Sequence, residues 1–587
     1  MNEDPSSRGG QEDRSARVFL LLAIIVGLVS GLLVVAFRRG IDALADFALG
    51  PHPAPHQLRL LLAPSLVGIV VGLLVKYVFP GARGSGVNQT KSALYIYDGY
   101  ISFRTMIGKF ITAGLAIGAG HSLGPEDPSL QIGAGVASFL SRRLRLSKRQ
   151  LRVFAPVGAA AGLGAAFNAP ISAIVFVIEE VIGNWSASVL MSIVLATMSS
   201  VAVARFFLGT DAMFRIPYVD LRDPRELVAY AVLGVTGGFA GIGFSGWLLM
   251  LRKWVRKLPS WTEWLQPAIA GLLVGGIGYF GLPQVMGPGY SSIDAAIQGG
   301  FGWKLLMLLA VFKIIATTLS FSSGTPGGMF APTLFVGAML GAAVGDGEHI
   351  LFPHFTGPLG SYALIGMGVL FAALLRAPLT SVFMVLEISG NYSIVLPVIL
   401  ANSLAYIIAR RLQPVPVFEA LTHEDGLDLP SMEMQRESVP LAIEDAMRAP
   451  DIPVLEASDS PFDIERAMEE HAVEVALLRR SDERWYVISR DEMKRFLVGE
   501  EATAAIEPLL GSEKCPVLYG DMPLEAALQY LHRWPLLPIA NRAKSGAVVG
   551  VLGLEAALAC YGLDERGGST AARADDKITT TATGAGA

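Results

Sequence analysis

The sequence predicts an all-α, multi-pass membrane protein that carries a small α/β domain at its C-terminal end. Hydrophobic residues make up 52% of its 587 residues and charged residues only 17%, whereas soluble domains are about one quarter charged. The apolar residues gather into long runs, and charges become dense only after Gln413. A soluble globular protein is therefore excluded, and a net charge of −5 gives no basis for nucleic-acid binding.

The apolar runs are long enough to cross a bilayer as helices, since about 20 apolar residues span ~30 Å of hydrocarbon. The first run follows a polar, charged segment, residues 1–16, and lacks a small-residue cleavage site. We expect this run to stay in the protein, with residues 1–16 in the cytoplasm. Such runs lie at Val18–Phe37, Leu60–Phe79, Ser188–Phe207, Leu227–Leu251 and Ser393–Ala409.

The charge distribution also sets the predicted domain boundaries. Residues 17–412 form the transmembrane domain, and a proline-rich linker follows at 413–431. Residues 432–566 form a soluble domain, and residues 567–587 have too few apolar side chains to fold. The two cysteines, Cys515 and Cys560, give neither a disulfide framework nor metal-ligand spacing, so we expect free, reduced thiols and no metal site.

The transmembrane part contains an internal repeat. Ala169-Pro170-Ile171-Ser172, with Glu179 after it, matches Ala377-Pro378-Leu379-Thr380, with Glu387 after it at the same spacing. A second pair, Pro128-Ser129-Leu130 and Pro332-Thr333-Leu334, recurs in the same order at nearly the same separation. Two ordered matches favour duplication, an arrangement typical of transporters. The residues alone do not show whether the two halves are inverted.

Three short segments predict helices that begin inside the membrane. Each places glycine with proline or asparagine before an apolar stretch: GSGVNQTK at 84–91, GPEDPSLQ at 124–131 and GTPGGMFAP at 324–332. Helix N-termini with free N–H groups must face protein or a polar cavity there, and their dipoles favour an anion. Partial charges and hydroxyls hold an anion without the tight binding of a lysine, so it can also leave. Intramembrane carboxylates are costly and usually functional, which makes Glu126 and Asp127 candidates.

These segments resemble the CLC family of chloride channels and proton-coupled chloride transporters. The resemblance rests on GSGVN, GPEDP, GGMFAP, AAFNAPISAIVFVIEE and NYSIVLP, which occur in the family's order between residues 17 and 412. It implies an inverted-repeat helical bundle with re-entrant, broken helices. It also implies a homodimer in the lipid bilayer with one chloride pathway per subunit, protons as the second substrate, and no required cofactor.

The resemblance also implies roles for individual residues. Glu126 would be the gating and proton-transfer glutamate, and Glu180 the inner proton-transfer residue; a helix-end salt bridge is the alternative role for Glu180. Chloride would bind to the hydroxyls of Ser85 and Tyr392 and to the backbone N–H groups of Met329 and Phe330. The filter motifs are Gly84-Ser85-Gly86-Val87-Asn88, Gly124-Pro125-Glu126-Asp127-Pro128 and Gly328-Met329-Phe330-Ala331-Pro332.

Three residues depart from the family pattern. Pro125 replaces an arginine before Glu126, Asp127 replaces a glycine after it, and Asn88 replaces a proline. The lost cation and the gained anion beside Glu126 should change the kinetics and pH dependence of its gating. Asn88 can cap the helix that proline would have begun, so we expect the anion site to persist. Ser85, where nitrate-selective members resemble the pattern with proline, favours chloride.

The C-terminal segment resembles a pair of cystathionine-β-synthase-type (CBS) domains. Each half has the order strand, helix, two strands, helix, as in PVLEASDSPFDIERAMEEHAVEVALLRR followed by RWYVISRDEMKRFL. The resemblance implies adenine nucleotide binding, with Ser489 and Asp491 as the candidate contacts. A module for dimerisation and stability without nucleotide is the alternative.

Three functions are consistent with the sequence. Chloride–proton exchange rests on Glu126 and Glu180, and a passive voltage- or pH-gated chloride channel would use the same filter without proton coupling. Intramembrane hydrolysis by Ser85 and His121 is the third, but no residue is spaced to orient His121. We expect an integral protein of the plasma (inner) membrane, with the C-terminal domain in the cytoplasm, and no enzyme.

Overall fold

The structure is a computed structural model of the chain. It describes residues 5–183, 187–209, 214, 224–352, 357–427, 429–430, 432, 441–449, 454–471, 473–480, 484–497, 506, 515–542 and 544–561. The chain divides into two compact units, Met1–Arg436 and Glu437–Ala587. The predicted start of the soluble domain at 432 falls within the first unit, where Met432 is buried beside the hydroxyl of Tyr95. The predicted tail, 567–587, lies outside the described residues.

The regular secondary structure of the first unit is helical, within the residues described. Two π-helical turns, Leu74–Val78 and Val177–Ile182, continue the helices before them. The α-helices are α1 Pro5–Ala48, α2 Leu58–Leu73, α3 Val87–Tyr95, α4 Phe103–Gly118, α5 Glu126–Arg143, α6 Lys148–Phe167, α7 Pro170–Phe176, α8 Ala187–Leu208, α9 Glu226–Val255, α10 Gln266–Tyr279, α11 Tyr290–Ile297, α12 Trp303–Ser322, α13 Phe330–Leu351, α14 Leu359–Leu375, α15 Pro378–Ser389, α16 Val395–Leu412 and α17 Val417–Glu424.

Eight helical segments of the described chain are long and apolar enough to cross a membrane. Each of the runs read from the sequence begins within two residues of one of them, but the first and the last helical segments continue 11 and 15 residues beyond the ends read from the sequence. Two additional segments, Gln150–Phe167 and Phe330–Leu351, are rich in glycine and alanine and have the lowest hydropathy of the eight, whereas the third, Trp303–Ser322, contains two lysines. The eight are Arg17–Ala48, Leu58–Val78, Gln150–Phe167, Val189–Leu208, Glu226–Val255, Trp303–Ser322, Phe330–Leu351 and Tyr392–Glu424.

Two equivalent helix pairs form the centre of this unit, α5 with α6 and α13 with α14. A Cβ added at Gly133 of α5 would lie 2.1 Å from the Gly158 carbonyl oxygen of α6. A Cβ at Gly337 of α13 would lie 2.3 Å from the Gly366 carbonyl oxygen of α14. Small residues let helix backbones touch where lipid supplies no hydrophobic drive. Both halves of the predicted repeat therefore use the same close packing.

Each of the two repeated glutamates accepts hydrogen bonds from the opposite half of the repeat. Glu179 accepts the N–H groups of Leu379 and Thr380 at the start of α15, at 3.2 and 2.9 Å. Glu387 accepts those of Ile171 and Ser172 at the start of α7, at 2.9 and 2.7 Å. Each carboxylate thus satisfies free N–H groups that the bilayer cannot hydrate. The exchange is reciprocal, as in a two-fold relation.

The second unit contains two three-stranded sheets and short helices, so the predicted α/β composition is confirmed. In each sheet the first strand is parallel to the second, and the second is antiparallel to the third. The element order predicted for each half is the observed one. The elements are α18 Ile443–Ala446, β1 Val454–Glu456, α19 Pro461–Glu470, β2 Val475–Arg479, β3 Trp485–Ser489, α20 Arg490–Leu497, β4 Leu518–Tyr519, α21 Leu524–Leu531, β5 Leu536–Asn541, β6 Lys544–Gly553 and α22 Leu554–Cys560.

Both cysteines of this unit carry free thiols. Cys515 is buried in the core that Leu518 and Leu537 help to form. Burial raises the pKa of the Cys515 thiol to about 12, because the thiolate would lose its hydration. It therefore packs as a neutral, unreactive side chain.

Candidate functional site

Two helix starts meet in the interior of the first unit. Gly124, before α5, and Gly328, before α13, form an antiparallel bridge. The N–H of each donates to the carbonyl oxygen of the other at 2.8 Å. The first turns of α5 and α13 follow directly, so their free N–H groups and the positive ends of their dipoles lie close together.

A third helix start joins this pair. The N–H of Gly327 donates to the carbonyl oxygen of Gly84 at 3.4 Å, just before α3. A Cβ at Gly86 would lie 2.3 Å from the Asp127 carbonyl oxygen, so the loop of α3 touches the start of α5. Ser85 is buried between these two glycines. The three segments singled out in the sequence are therefore neighbours in space.

Glu126 is fully buried at the junction. Its Oε1 accepts a hydrogen bond from the Tyr290 hydroxyl, at the start of α11. Its Oε2 has no hydrogen-bond partner among the described residues. A Cβ at Gly124 would lie 2.3 Å from this Oε2 and 3.0 Å from the Ala331 nitrogen, so glycine leaves room for the carboxylate above the first turn of α13.

Asp127 is also fully buried, beside the same bridge. Its Oδ2 accepts the N–H of Met329 at 3.0 Å. A Cβ at Gly328 would lie 2.6 Å from the Asp127 carboxyl carbon, so glycine is needed here as well. The N–H of Met329, one of the predicted chloride ligands, is thus already donating to a carboxylate of the chain.

Asn88 does not cap α3, contrary to the expectation from its sequence. The residue before the helix is Gly86, and its N–H donates to the side-chain oxygen of Gln89 at 2.7 Å. Asn88 lies one position inside the helix, and its side-chain amide donates to the Phe418 carbonyl oxygen at 3.0 Å. Asn88 therefore ties α3 to α17.

Tyr392 does not reach the junction. Its side chain is 75% exposed, and it lies in a short 3₁₀ turn before α16. The aromatic residue of the C-terminal helices that does approach is Phe418, which is buried with its ring 6.4 Å from the Phe330 ring. Phe330 is fully buried and also packs against Phe176 and Phe371. The predicted phenol is replaced at this place by a ring without a hydroxyl.

Glu180 lies in a separate buried contact. Its Oε1 accepts a hydrogen bond from the Lys91 Nζ at 2.9 Å, and both side chains are about 95% buried. Lys91 lies in α3, whose first turn belongs to the junction. The salt bridge that the sequence offered as the alternative role of Glu180 is therefore present, and its partner lies on a helix that leads to the site.

Sequence reasoning missed two buried lysines that repeat between the halves. The Lys109 Nζ of α4 donates at 2.7 Å to the carbonyl oxygen of Gly84, which lies in the loop before α3. The Lys313 Nζ of α12 donates at 2.7 Å to the carbonyl oxygen of Gly287, which lies in the loop before α11. The loops they hold, GSG at 84–86 and GPG at 287–289, both carry glycines with positive φ. This recurrence could have identified Tyr290, which directly follows the second loop.

Two cavities flank the junction. One, of about 390 Å³, is lined by Arg38, Asp42, Pro125 and Tyr290 among others. Arg38 lines this cavity together with Pro125 and with Tyr290, which bonds to Glu126, so a cation lies in this region although position 125 carries proline.

The second cavity, of about 360 Å³, is lined by Gly84, Gly324 and three arginines, Arg83, Arg252 and Arg256, together with Glu263 and Asp425. It thus reaches the loop of α3 and the loop that precedes α13. The first cavity contacts Pro125, directly before α5, and the second contacts the loops before α3 and α13, so an anion in either cavity would lie next to a helix start.

The remaining predicted residues have contacts of other kinds. His121 lies 3.2 Å from the Pro64 carbonyl oxygen, and no described hydrogen bond joins it to Ser85. Ser489 forms a capping box with Glu492 at the start of α20, at 2.9 Å between side chains. Within the part of the chain that is described, no three His, Cys, Asp or Glu side chains are grouped to hold a metal.

Comparisons with known proteins agree on one family. The family model described as voltage gated chloride channel matches residues 67–410. The H(+)/Cl(−) exchange transporter ClcA of Salmonella arizonae is 32% identical over 423 residues, which is 70% of this chain and 89% of that protein. ClcA of Yersinia pestis is 33% identical over 426 residues, or 70% and 88% of the two chains.

Solved structures show the same fold. A slow cyanobacterial Cl−/H+ antiporter superposes with a TM-score of 0.64 at 26% identity, covering 69% of this chain and 97% of that one. A eukaryotic CLC transporter superposes with a TM-score of 0.59 at 18% identity, covering 91% and 97%. At that identity the second likeness concerns the fold alone, but its coverage includes residues of the second unit.

Proposed function

This chain belongs to the CLC family of voltage gated chloride channels and is a multi-pass integral membrane protein of a transport family, and from that membership we propose that it exchanges chloride for protons. The observation that carries the proposal is the position of Glu126. A buried carboxylate with one free oxygen lies where the N-termini of α5 and α13 meet. That place suits an anion, so a carboxylate there competes with chloride.

The exchange follows from this competition. As a carboxylate, Glu126 holds the anion position; when it takes a proton it loses its attraction for the helix ends and can turn toward the cavity lined by Tyr290. Chloride then binds at the junction, with the Ser85 hydroxyl and backbone N–H groups as neutral donors. Return of the ionised Glu126 releases chloride. Glu180 would pass the proton to and from the opposite side of the membrane.

The activity is tested on the purified protein in chloride-loaded liposomes. After efflux is started with an ionophore, external chloride and external pH are recorded together. We expect chloride efflux to be accompanied by proton movement in the opposite direction. The Glu126 side chain either carries a proton, which leaves the site to chloride, or occupies the anion site itself as a carboxylate. Chloride efflux without opposed proton movement would replace the exchanger with a passive channel.

The channel is the second candidate because of the Lys91–Glu180 ion pair. The two charges are 2.9 Å apart and buried. To take a proton, Glu180 must give up this pair and leave a buried cation behind, which is costly. A Glu180 that stays paired would leave protons without an inner station while the anion path remains intact.

Ser85→Pro should shift anion preference from chloride toward nitrate. The change removes a neutral hydrogen-bond donor, which contributes about 1 kcal/mol to anion binding. This corresponds to a change of roughly fivefold in the affinity for chloride relative to nitrate. The backbone should tolerate proline, because the equivalent loop already has Pro288 between two positive-φ glycines, Gly287 and Gly289, as Gly84 and Gly86 flank Ser85. Relative chloride and nitrate fluxes in liposomes measure the effect. Ser85→Ala, which removes the hydroxyl without adding a proline ring, should show the same shift if the lost donor is its cause. An unchanged flux ratio in Ser85→Pro would show that Ser85 does not bind the anion.

The same membership supports proposals for assembly and for the second unit. We propose an inverted repeat, a homodimer with one pathway per subunit, and a C-terminal unit on the cytoplasmic side of the plasma (inner) membrane. The repeated order of strands and helices in the second unit supports a CBS-type pair. Its nucleotide role, through Ser489 and Asp491, is checked by titrating ATP into the full-length protein; no binding would leave dimerisation as the role of the pair.

A further inference from the structure

The N-terminus of α13 is already occupied by an anion that belongs to the chain. The N–H of Met329 donates to Asp127 Oδ2 at 3.0 Å. The first N–H groups of a helix have no partner within the helix, so this bond takes one of the donors a transported anion would use. Asp127 and chloride cannot both hold the Met329 N–H.

Asp127 is only half satisfied in this position. The side chain is fully buried, yet its Oδ1 has no hydrogen-bond partner within the described chain. A buried carboxylate oxygen without a donor is costly, whereas a carboxylate that only stabilised the helix would gain from a second donor. Among the described hydrogen bonds, the one from the Met329 N–H is therefore the one that holds the Asp127 carboxylate at the start of α13.

The charged groups near Asp127 are few. Glu126 precedes it in the chain, and Lys109 of α4 acts on it electrostatically while donating to the Gly84 carbonyl oxygen. Tyr290 bonds to Glu126. Two carboxylates thus lie where α5 and α13 begin. Glu126 lies over the first turn of α13, and Asp127 accepts the N–H of Met329, the residue that precedes α13.

We propose that Asp127 is a second gating carboxylate, which occupies the anion position at Met329 and must be displaced before chloride can bind there. The inference rests on the proposed function only in taking chloride as the anion. It concerns binding of the anion, so it applies equally to an exchanger and to a channel. A second gate in series also implies that opening Glu126 alone leaves the pathway partly occupied.

The test measures chloride binding by titration calorimetry in purified protein at neutral pH. The background is Glu126→Gln, in which the first carboxylate no longer competes. If Asp127 occupies the anion position at Met329 about nine tenths of the time, adding Asp127→Asn should tighten chloride binding about tenfold. Chloride flux in liposomes should rise in the same variant. Equal affinity with and without Asp127→Asn, and again with and without Asp127→Gly, would overturn the proposal.

Asparagine separates a gate from a fixed helix cap. Its side-chain oxygen can still accept the Met329 N–H, so a purely structural role would be rescued, with affinity and flux unchanged. Asp127→Gly removes both charge and acceptor and should match Asp127→Asn in affinity if charge is what competes. Asp346→Asn is the control, because Asp346 also accepts one N–H at a helix start, that of Trp303 at 3.1 Å, near the far end of α13; it should leave binding unchanged.

The outcomes for the two proposals are distinct. Chloride binding that is equal in all variants overturns the role of Asp127 and leaves the exchanger intact. Wild-type flux without proton movement overturns the exchanger, while a tenfold effect of Asp127→Asn would still support the second gate. Absence of chloride binding in every folded variant would overturn both, since chloride would then be the wrong anion.

Discussion

Glu126→Gln should keep chloride flux and abolish proton movement. The amide has the shape of the protonated acid but cannot release a proton, so the anion position is no longer contested by Glu126 and no proton is carried. Proton flux should fall by about 100-fold or more, the usual scale for loss of a proton-transferring group. The Tyr290 hydroxyl can still donate to the amide oxygen, so the local hydrogen bond is kept.

The measurement is the paired recording of chloride and pH in liposomes, with wild type and variant at equal protein density. Asp294→Asn is the matched control. Asp294 lies in α11, the helix that begins with Tyr290, and its carboxylate accepts an exposed hydrogen bond from the Gln298 side-chain amide at 3.0 Å. Both fluxes should be unchanged in this control. Proton movement that persists in Glu126→Gln would show that Glu126 is not the coupling residue.

The parts of the site that could be predicted from sequence are those set by local backbone chemistry. Glycine and proline ahead of an apolar stretch fix where α5 and α13 begin, and the structure places these starts against each other. The internal match of residues 169–179 with 377–387 predicted a repeat, and the structure contains it. That each repeated glutamate serves the opposite half follows only from packing.

The parts that could not be predicted depend on how the chain returns in space. Tyr392 and Phe418 lie before and after α16, a helix of 18 residues and therefore ~27 Å long. Only one end of such a helix can approach the junction, and the sequence does not say which. Phe418 is the residue that arrives, and its carbonyl oxygen takes the Asn88 amide that was expected to cap α3.

Asp127 shows a different limit of sequence reasoning. Its charge beside Glu126 was visible as a departure from the family pattern, and a change in gating was expected from it. The sequence did not show that the carboxylate lies on the Met329 N–H. A side chain and the backbone donor it takes are far apart in the chain, and both had been assigned to the site for separate reasons.

The adjacent glutamates of α7's π-helical turn should respond differently to the same substitution. Glu179 accepts the N–H groups of Leu379 and Thr380, so Glu179→Gln should weaken the start of α15 by about 1–3 kcal/mol and keep proton coupling. Glu387→Gln is the matched variant in the other half. Glu387 accepts the equivalent N–H groups at the start of α7, so this change should lower stability by a similar amount. Thermal aggregation of the purified variants, compared with wild type, measures the stability loss.

Glu180→Gln should abolish proton movement and keep chloride flux, because it removes the proposed inner proton station and leaves the residues of the anion path unchanged. It also removes the negative charge that lies 2.9 Å from the buried Lys91 ammonium, and breaking a buried ion pair in this way costs about 3–5 kcal/mol. A loss of coupling in the single variant could therefore reflect damage near α3. The double variant Lys91→Met/Glu180→Gln removes the unpaired charge and should regain stability. Coupling should stay absent in this stable double variant if Glu180 carries the proton, whereas restored coupling would assign the ion pair a structural role and leave proton transfer to another group.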